Sequence, residues 1–188
     1  PSRLVGSEMC IRDSSDAATK ANADTINAYT TGQVTLTSVS DTVANITAID
    51  ALTTSDVSMA SADISVSDTA SLSNANAINA FTTGTVTLTD VSDTVANLAT
   101  LAAIDNAEVT IENAVISVSD AATKANADTI NAYTTGQVTL TSVSDTVANI
   151  TLIDGLTTSE VTMAGATVSV SDAASLANAN ACLLYTSD

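Results

Sequence analysis

Histidine and tryptophan are absent from this 188-residue chain, and its only proline is Pro1. Without imidazole there is no ordinary general base near neutral pH and no histidine metal ligand. Aromatic residues make up 2% of the chain, so a core must be built from small and aliphatic side chains. The two cysteines, Cys10 and Cys182, lie near the ends, which excludes a disulfide framework or a thiolate metal site in the body. Lysine and arginine number 4 against 21 acidic residues, a net charge of −17. That balance opposes nucleic acid and anionic lipid, both of which need basic patches. No apolar run reaches the ~20 residues that span a bilayer, so membrane insertion is not expected. The six glycines are isolated, and none belongs to a phosphate-binding loop.

What is present is periodic. Aspartates closing Ser-Asp pairs fall at Asp16, Asp41, Asp68, Asp93, Asp120, Asp145 and Asp172, with spacings that alternate between 25 and 27. These positions start half-units of about 26 residues inside a 52-residue double unit. Residues 16–47 recur unchanged at 120–151. Apolar residues make up 45% and return in register, which separates the chain from disordered Ser/Thr-rich sequence.

Within the half-unit starting at Asp16, AATKANADTINAY contains helix formers and no breaker. Asp16 stands where an N-cap belongs, and Gly32 where a left-handed C′ residue would end the helix. Val34-Thr35-Leu36-Thr37 alternates apolar and polar, as a strand does. The next half-unit places Val43, Ile46, Ile49 and Leu52 on a helical stretch whose step of three admits a 3₁₀ portion. Strands are expected at Val57-Ser58-Met59 and Ile64-Ser65-Val66-Ser67.

The predicted fold is α/β: a tandem-repeat solenoid with one helix and one or two short parallel strands per ~26-residue coil. Two inward rows follow. One is Val34, Val57, Val86, Val109, Val138 and Val161; the other is Leu36, Met59, Leu88, Ile111, Leu140 and Met163. Strands stack at ~4.8 Å and helices at ~8–10 Å, so the array must curve or stagger, and mild curvature is expected. Tyr29, Phe81 and Tyr133 share one address and are expected to fill the gap between helix and sheet. Thr35, Ser58, Thr87, Thr110, Thr139 and Thr162 face outward, joined by Thr37, Thr89 and Thr141; Ala60, Glu112 and Ala164 interrupt the second row.

Carboxylates repeat at one address per coil and do not converge on one pocket, so no catalytic, cofactor-binding or metal-ligating residue is nominated, no cofactor is expected, and the chain is read as a non-enzyme. The aspartate row is read as helix caps, with calcium as the alternative; neither the glycine-rich calcium nonapeptide nor the EF-hand spacing is present.

The stretches VSDTVANITAID, VSDTVANLATLAAID and VTLTSVSDTVANI resemble repeats in very large bacterial surface or secreted proteins, adhesin-like arrays with SDT-x-AN helix starts and Thr-rich strands. The resemblance covers residues 15–181 and implies secretion or cell-surface display and a structural or adhesive role. Its implied partners are flanking repeats of the same protein and a cell-surface or matrix ligand. The alternative is a binding module that uses the Thr-rich face for a ligand, calcium or ice. PSRLVGSEMCIRDS (1–14) and CLLYTSD (182–188) break the register and resemble translated sequencing-adapter read-through, so they are set apart from the repeat.

Overall fold

The computed structural model describes residues 16–52, 56–104, 108–156, 160–173 and 175. The terminal segments, both cysteines, Ser15 and most of the half-unit opened by Asp172 lie outside the described residues.

The chain alternates helices with strands. The helices are α1 (Lys20–Asn27), α2 (Val43–Asp50), α3 (Leu72–Asn79), α4 (Val95–Ala103), α5 (Lys124–Asn131) and α6 (Val147–Asp154). The strands are β1 (Val34–Thr35), β2 (Ser38–Asp41), β3 (Val57–Ser58), β4 (Asp63–Ala70), β5 (Val86–Asp93), β6 (Val109–Thr110), β7 (Val115–Ala122), β8 (Val138–Asp145), β9 (Val161–Thr162) and β10 (Thr167–Val170). The path β2-β4-β5-β7-β8-β10 forms one sheet; β6 joins it on β5, β9 joins it on β8, and β1 pairs with β3 alone. Every pairing among the described strands is parallel, and no barrel closes.

Both expected inward rows are buried, from Val34 to Val161 and from Leu36 to Met163. Each helix adds one or two core residues: Ala23, Ile46 and Ile49, Ala75 and Ile78, Leu98 and Leu101, Ala127 and Ile130, Ile150 and Ile153. The step of three from Ile46 to Ile49 does not produce a 3₁₀ segment. Over an eight-residue helix, two residues so spaced still share one face, and α2 is an α-helix throughout.

The inward Val row differs from the expected single column. Val34 pairs with Val57, Val86 with Val109, and Val138 with Val161, but Val57 does not face Val86. One continuous column instead runs Ala18, Val39, Ile64, Val86, Val109, and the next runs Ala70, Val91, Ile116, Val138, Val161. Moving from Val86 to Val138 therefore takes five residues along the strand, to Val91, and two strands across. At ~3.3 Å per residue and ~4.8 Å per strand this displacement is about 19 Å. It carries two helices, about 9.5 Å each, within the ~8–10 Å that packed helices need. Stagger thus reconciles the strand and helix spacings without relying on the expected curvature.

The stagger arises because Val109 faces Val86 while Ile116 faces Val91, five residues further along β5; bulges add one-residue slips beside it. The β4–β5 register slips between Val66 and Thr69, and the β7–β8 register slips between Val118 and Ala121. At each bulge a threonine of the next strand reaches across: Thr89 Oγ1 donates to the Val66 carbonyl at 2.8 Å, and Thr141 Oγ1 to the Val118 carbonyl at 2.7 Å.

Candidate functional site

The aspartate row is the most regular polar feature, and the structure corrects its expected role. The N-caps are Thr19, Thr42, Ser71, Thr94, Thr123 and Thr146, each hydroxyl accepting the backbone N–H three residues on. The aspartates instead reach the preceding helix. Asp41 accepts the Lys20 N–H that opens α1 at 2.8 Å, Asp93 that of Leu72 at 2.9 Å, and Asp145 that of Lys124 at 2.8 Å. Asp68, Asp120 and Asp172 accept those of Val43, Val95 and Val147 at 2.8, 2.8 and 3.0 Å. Each described helix thus begins on a threonine or serine of its own and a carboxylate from the following half-unit. A negative charge at a helix N-terminus meets unsatisfied N–H groups and the positive end of the helix dipole, which is how like charges tolerate a row.

Asp41, Asp93 and Asp145 each accept two further bonds, from the next residue's N–H and from an asparagine four residues on; for Asp93 these are Thr94 at 2.8 Å and Asn97 at 2.7 Å. Burial works against ionisation of Asp41 and Asp93, but the donors outweigh it, and both carboxyls sit below the ordinary range. At Asp145 the Lys124 N–H is the largest influence, followed by Asn149, and the result is again a lowered pKa.

The Thr-Thr-Gly motif also acts between coils. Gly32 has no left-handed backbone, and α1 ends at Ala28 in ordinary right-handed geometry, so the expected glycine C′ is not formed. In the later copies Thr82 Oγ1 donates to the Ala62 carbonyl and Thr134 Oγ1 to the Ala114 carbonyl, both at 2.6 Å and buried. A Cβ on Gly84 or Gly136 would collide with those same carbonyls, which is why glycine stands there.

On the outer face the expected hydroxyls lie at exposed or half-buried positions, in pairs: Thr35 beside Ser58, Thr87 beside Thr110, Thr139 beside Thr162. Serines missed in the sequence extend two of these pairs into rows across neighbouring strands, Ser40-Ser65-Thr87-Thr110 and Ser92-Ser117-Thr139-Thr162. Their signal was visible in the recurring Ile-Ser-Val-Ser and Val-Ser-Asp runs.

The aromatic address behaves unevenly. Phe81 and Tyr133 are half-buried against the core, whereas Tyr29 is 81% exposed and does not fill a gap between helix and sheet. Tyr133 lines a crevice together with Ala102, Thr110 and Ile111 of the preceding half-unit; the corresponding neighbours of Tyr29 would precede residue 16 and are not among the described residues. Among the described residues no group of three His, Cys, Asp or Glu side chains could hold a metal ion, and no helix is long and apolar enough to cross a membrane. Lys20 and Lys124 form ion pairs with Asp24 and Asp128 along their own helices, both at 2.6 Å. Comparison of the chain with protein families, with curated proteins and with solved structures finds no match.

Proposed function

We propose that this chain is a structural or adhesive stretch of an α/β solenoid, built from 52-residue double units and belonging to a larger extracellular bacterial protein. Its chemistry serves stacking, and no catalytic role is assigned to it. The observation that carries the reading is the aspartate row: at six successive helices a carboxylate of one coil seats the helix of the coil before. The buried threonine clamps at Thr82 and Thr134 point the same way. The likeness of the SDTVAN stretches to repeats of bacterial surface proteins supports an extracellular setting.

In a solenoid, stability is a sum of coil terms and nearest-neighbour interfaces. Chains carrying two, three and four double units should therefore gain stability with each addition, and their length in solution X-ray scattering should grow by about 19 Å per unit. A compact particle whose stability ignores unit number would overturn the solenoid. Labelled protein that fails to retain on bacterial surfaces or matrix polysaccharide would leave a structural role and remove the adhesive one.

A second reading, a binding module on the outer face, draws on the in-register hydroxyl rows Ser40-Ser65-Thr87-Thr110 and Ser92-Ser117-Thr139-Thr162. Thermal hysteresis tests its ice-binding form. Calcium titration against sodium chloride at equal ionic strength tests its calcium form, where a calcium-specific rise in melting temperature with fixed stoichiometry would favour it.

A further inference from the structure

A crevice of about 400 Å³ opens where α4 and α5 end, lined by Ala102, Thr110, Ile111, Glu112, Ala132 and Tyr133. From this lining we infer that the crevice binds a small organic cation, an alkylammonium group, independently of any structural or adhesive role of the array.

Among the described residues the lining combines an aliphatic floor, one aromatic ring and one carboxylate, and contains no basic residue. Ala102 lies in the last turn of α4 and Ala132 is the C-cap of α5; neither helix has a basic residue in its last turn. Two helix C-termini therefore turn their negative ends toward the same place, where a cation is favoured. An ammonium group beside an aromatic ring gains a cation–π attraction, and an apolar floor accepts its alkyl part.

Neither polar group is needed by the fold, as the chain's own copies show. The Glu112 carbonyl accepts the Thr135 N–H at 2.7 Å and the Thr135 hydroxyl at 3.1 Å. The Ala60 carbonyl accepts the same pair from Thr83, at 2.9 and 3.1 Å. The turn is thus made equally well with a methyl group, and Ala164 holds the address again. Phe81 likewise occupies the Tyr133 position without a phenol, half-buried against the same core. The exposed carboxylate of Glu112 is an addition to a turn whose backbone is already held by the next half-unit.

The test titrates the full chain with n-butylammonium chloride and, separately, tetramethylammonium chloride, following backbone amide shifts by NMR, with sodium chloride at matched concentration as control. Saturable shifts confined to Ala102, Thr110–Glu112 and Ala132–Tyr133 are expected. Tighter binding of butylammonium identifies a lysine-like amine, and tighter binding of tetramethylammonium a choline-like headgroup; either supports the site. Glu112→Ala, which reproduces the residue at Ala60, should weaken binding about tenfold without changing the melting temperature, and Tyr133→Leu should weaken it about threefold. Shifts that match sodium chloride, or an affinity unchanged in Glu112→Ala, would overturn the proposal.

Discussion

The carboxylate of Asp93 accepts the backbone N–H of Leu72 at 2.9 Å, joining the end of β5 to the start of α3 across 21 residues of chain. Asp93 also holds Thr94 and Asn97, so one side chain orders two helix starts. Asp93→Ala should cost roughly 2–3 kcal/mol, and Asp120→Ala, which removes the bond from Val95 alone among those described, about 1 kcal/mol. Urea denaturation of both variants measures the difference. Equal losses would mean that the two further bonds at Asp93 contribute nothing.

Acid should loosen the same contacts. The carboxyls of Asp41, Asp93 and Asp145 titrate lower when folded than when unfolded. The stability they contribute is therefore fully present above the unfolded value, ~3.9, and is lost as pH falls through the lower folded values. Circular dichroism should show the helices holding at pH 5 and melting below pH ~4, with a shallower acid transition in Asp93→Asn. An unchanged slope in that variant would count against Asp93 as a proton-linked contact.

Val138 is fully buried, and its neighbour Thr139 lies on the opposite face of β8. Val138→Asp should destabilise by more than about 4 kcal/mol, because it leaves an unpaired charge in the core. Thr139→Asp should stay within about 1 kcal/mol. Thermal melts of the pair decide whether the alternation is correct.

Gly136 and Gly32 share an address but not a neighbourhood. A Cβ at Gly136 meets the Ala114 backbone, whereas at Gly32, among the described residues, it meets only the Thr30 hydroxyl at 3.4 Å. Gly136→Ala should cost roughly 1–3 kcal/mol through overpacking, and Gly32→Ala under about 0.5 kcal/mol. Comparable melting temperatures for the two variants would contradict the close approach.

The buried rows from Val34 to Met163 were readable because a strand's alternation is local and strict. The helix starts were half-readable. Each of the six described helices opens on Thr or Ser followed three residues later by Asn, a capping box when Asn22, Asn74 and Asn126 close it. The more prominent Asp drew the cap assignment away from that pattern. The bond from the Val43 N–H to the Asp68 carboxylate was not readable, because it crosses 25 residues and depends on how neighbouring half-units align. The stagger was hidden for a related reason. That Ile116 faces Val91 and not Val86 depends on where each strand meets its neighbour, which the spacing of the repeat does not record.

That stagger bears on how such a chain can lengthen. A layer of helices wider than its sheet bends a little more with every unit, until the growing chain meets itself. In the proposed solenoid, where both layers would advance by ~19 Å per double unit, no bend accumulates from their mismatch. Duplication of a 52-residue stretch of gene then inserts a piece whose two ends already fit their new neighbours. Reach becomes countable in whole units, and a lineage could adjust it by recombination between identical stretches such as residues 16–47 and 120–151 without any change to the joints.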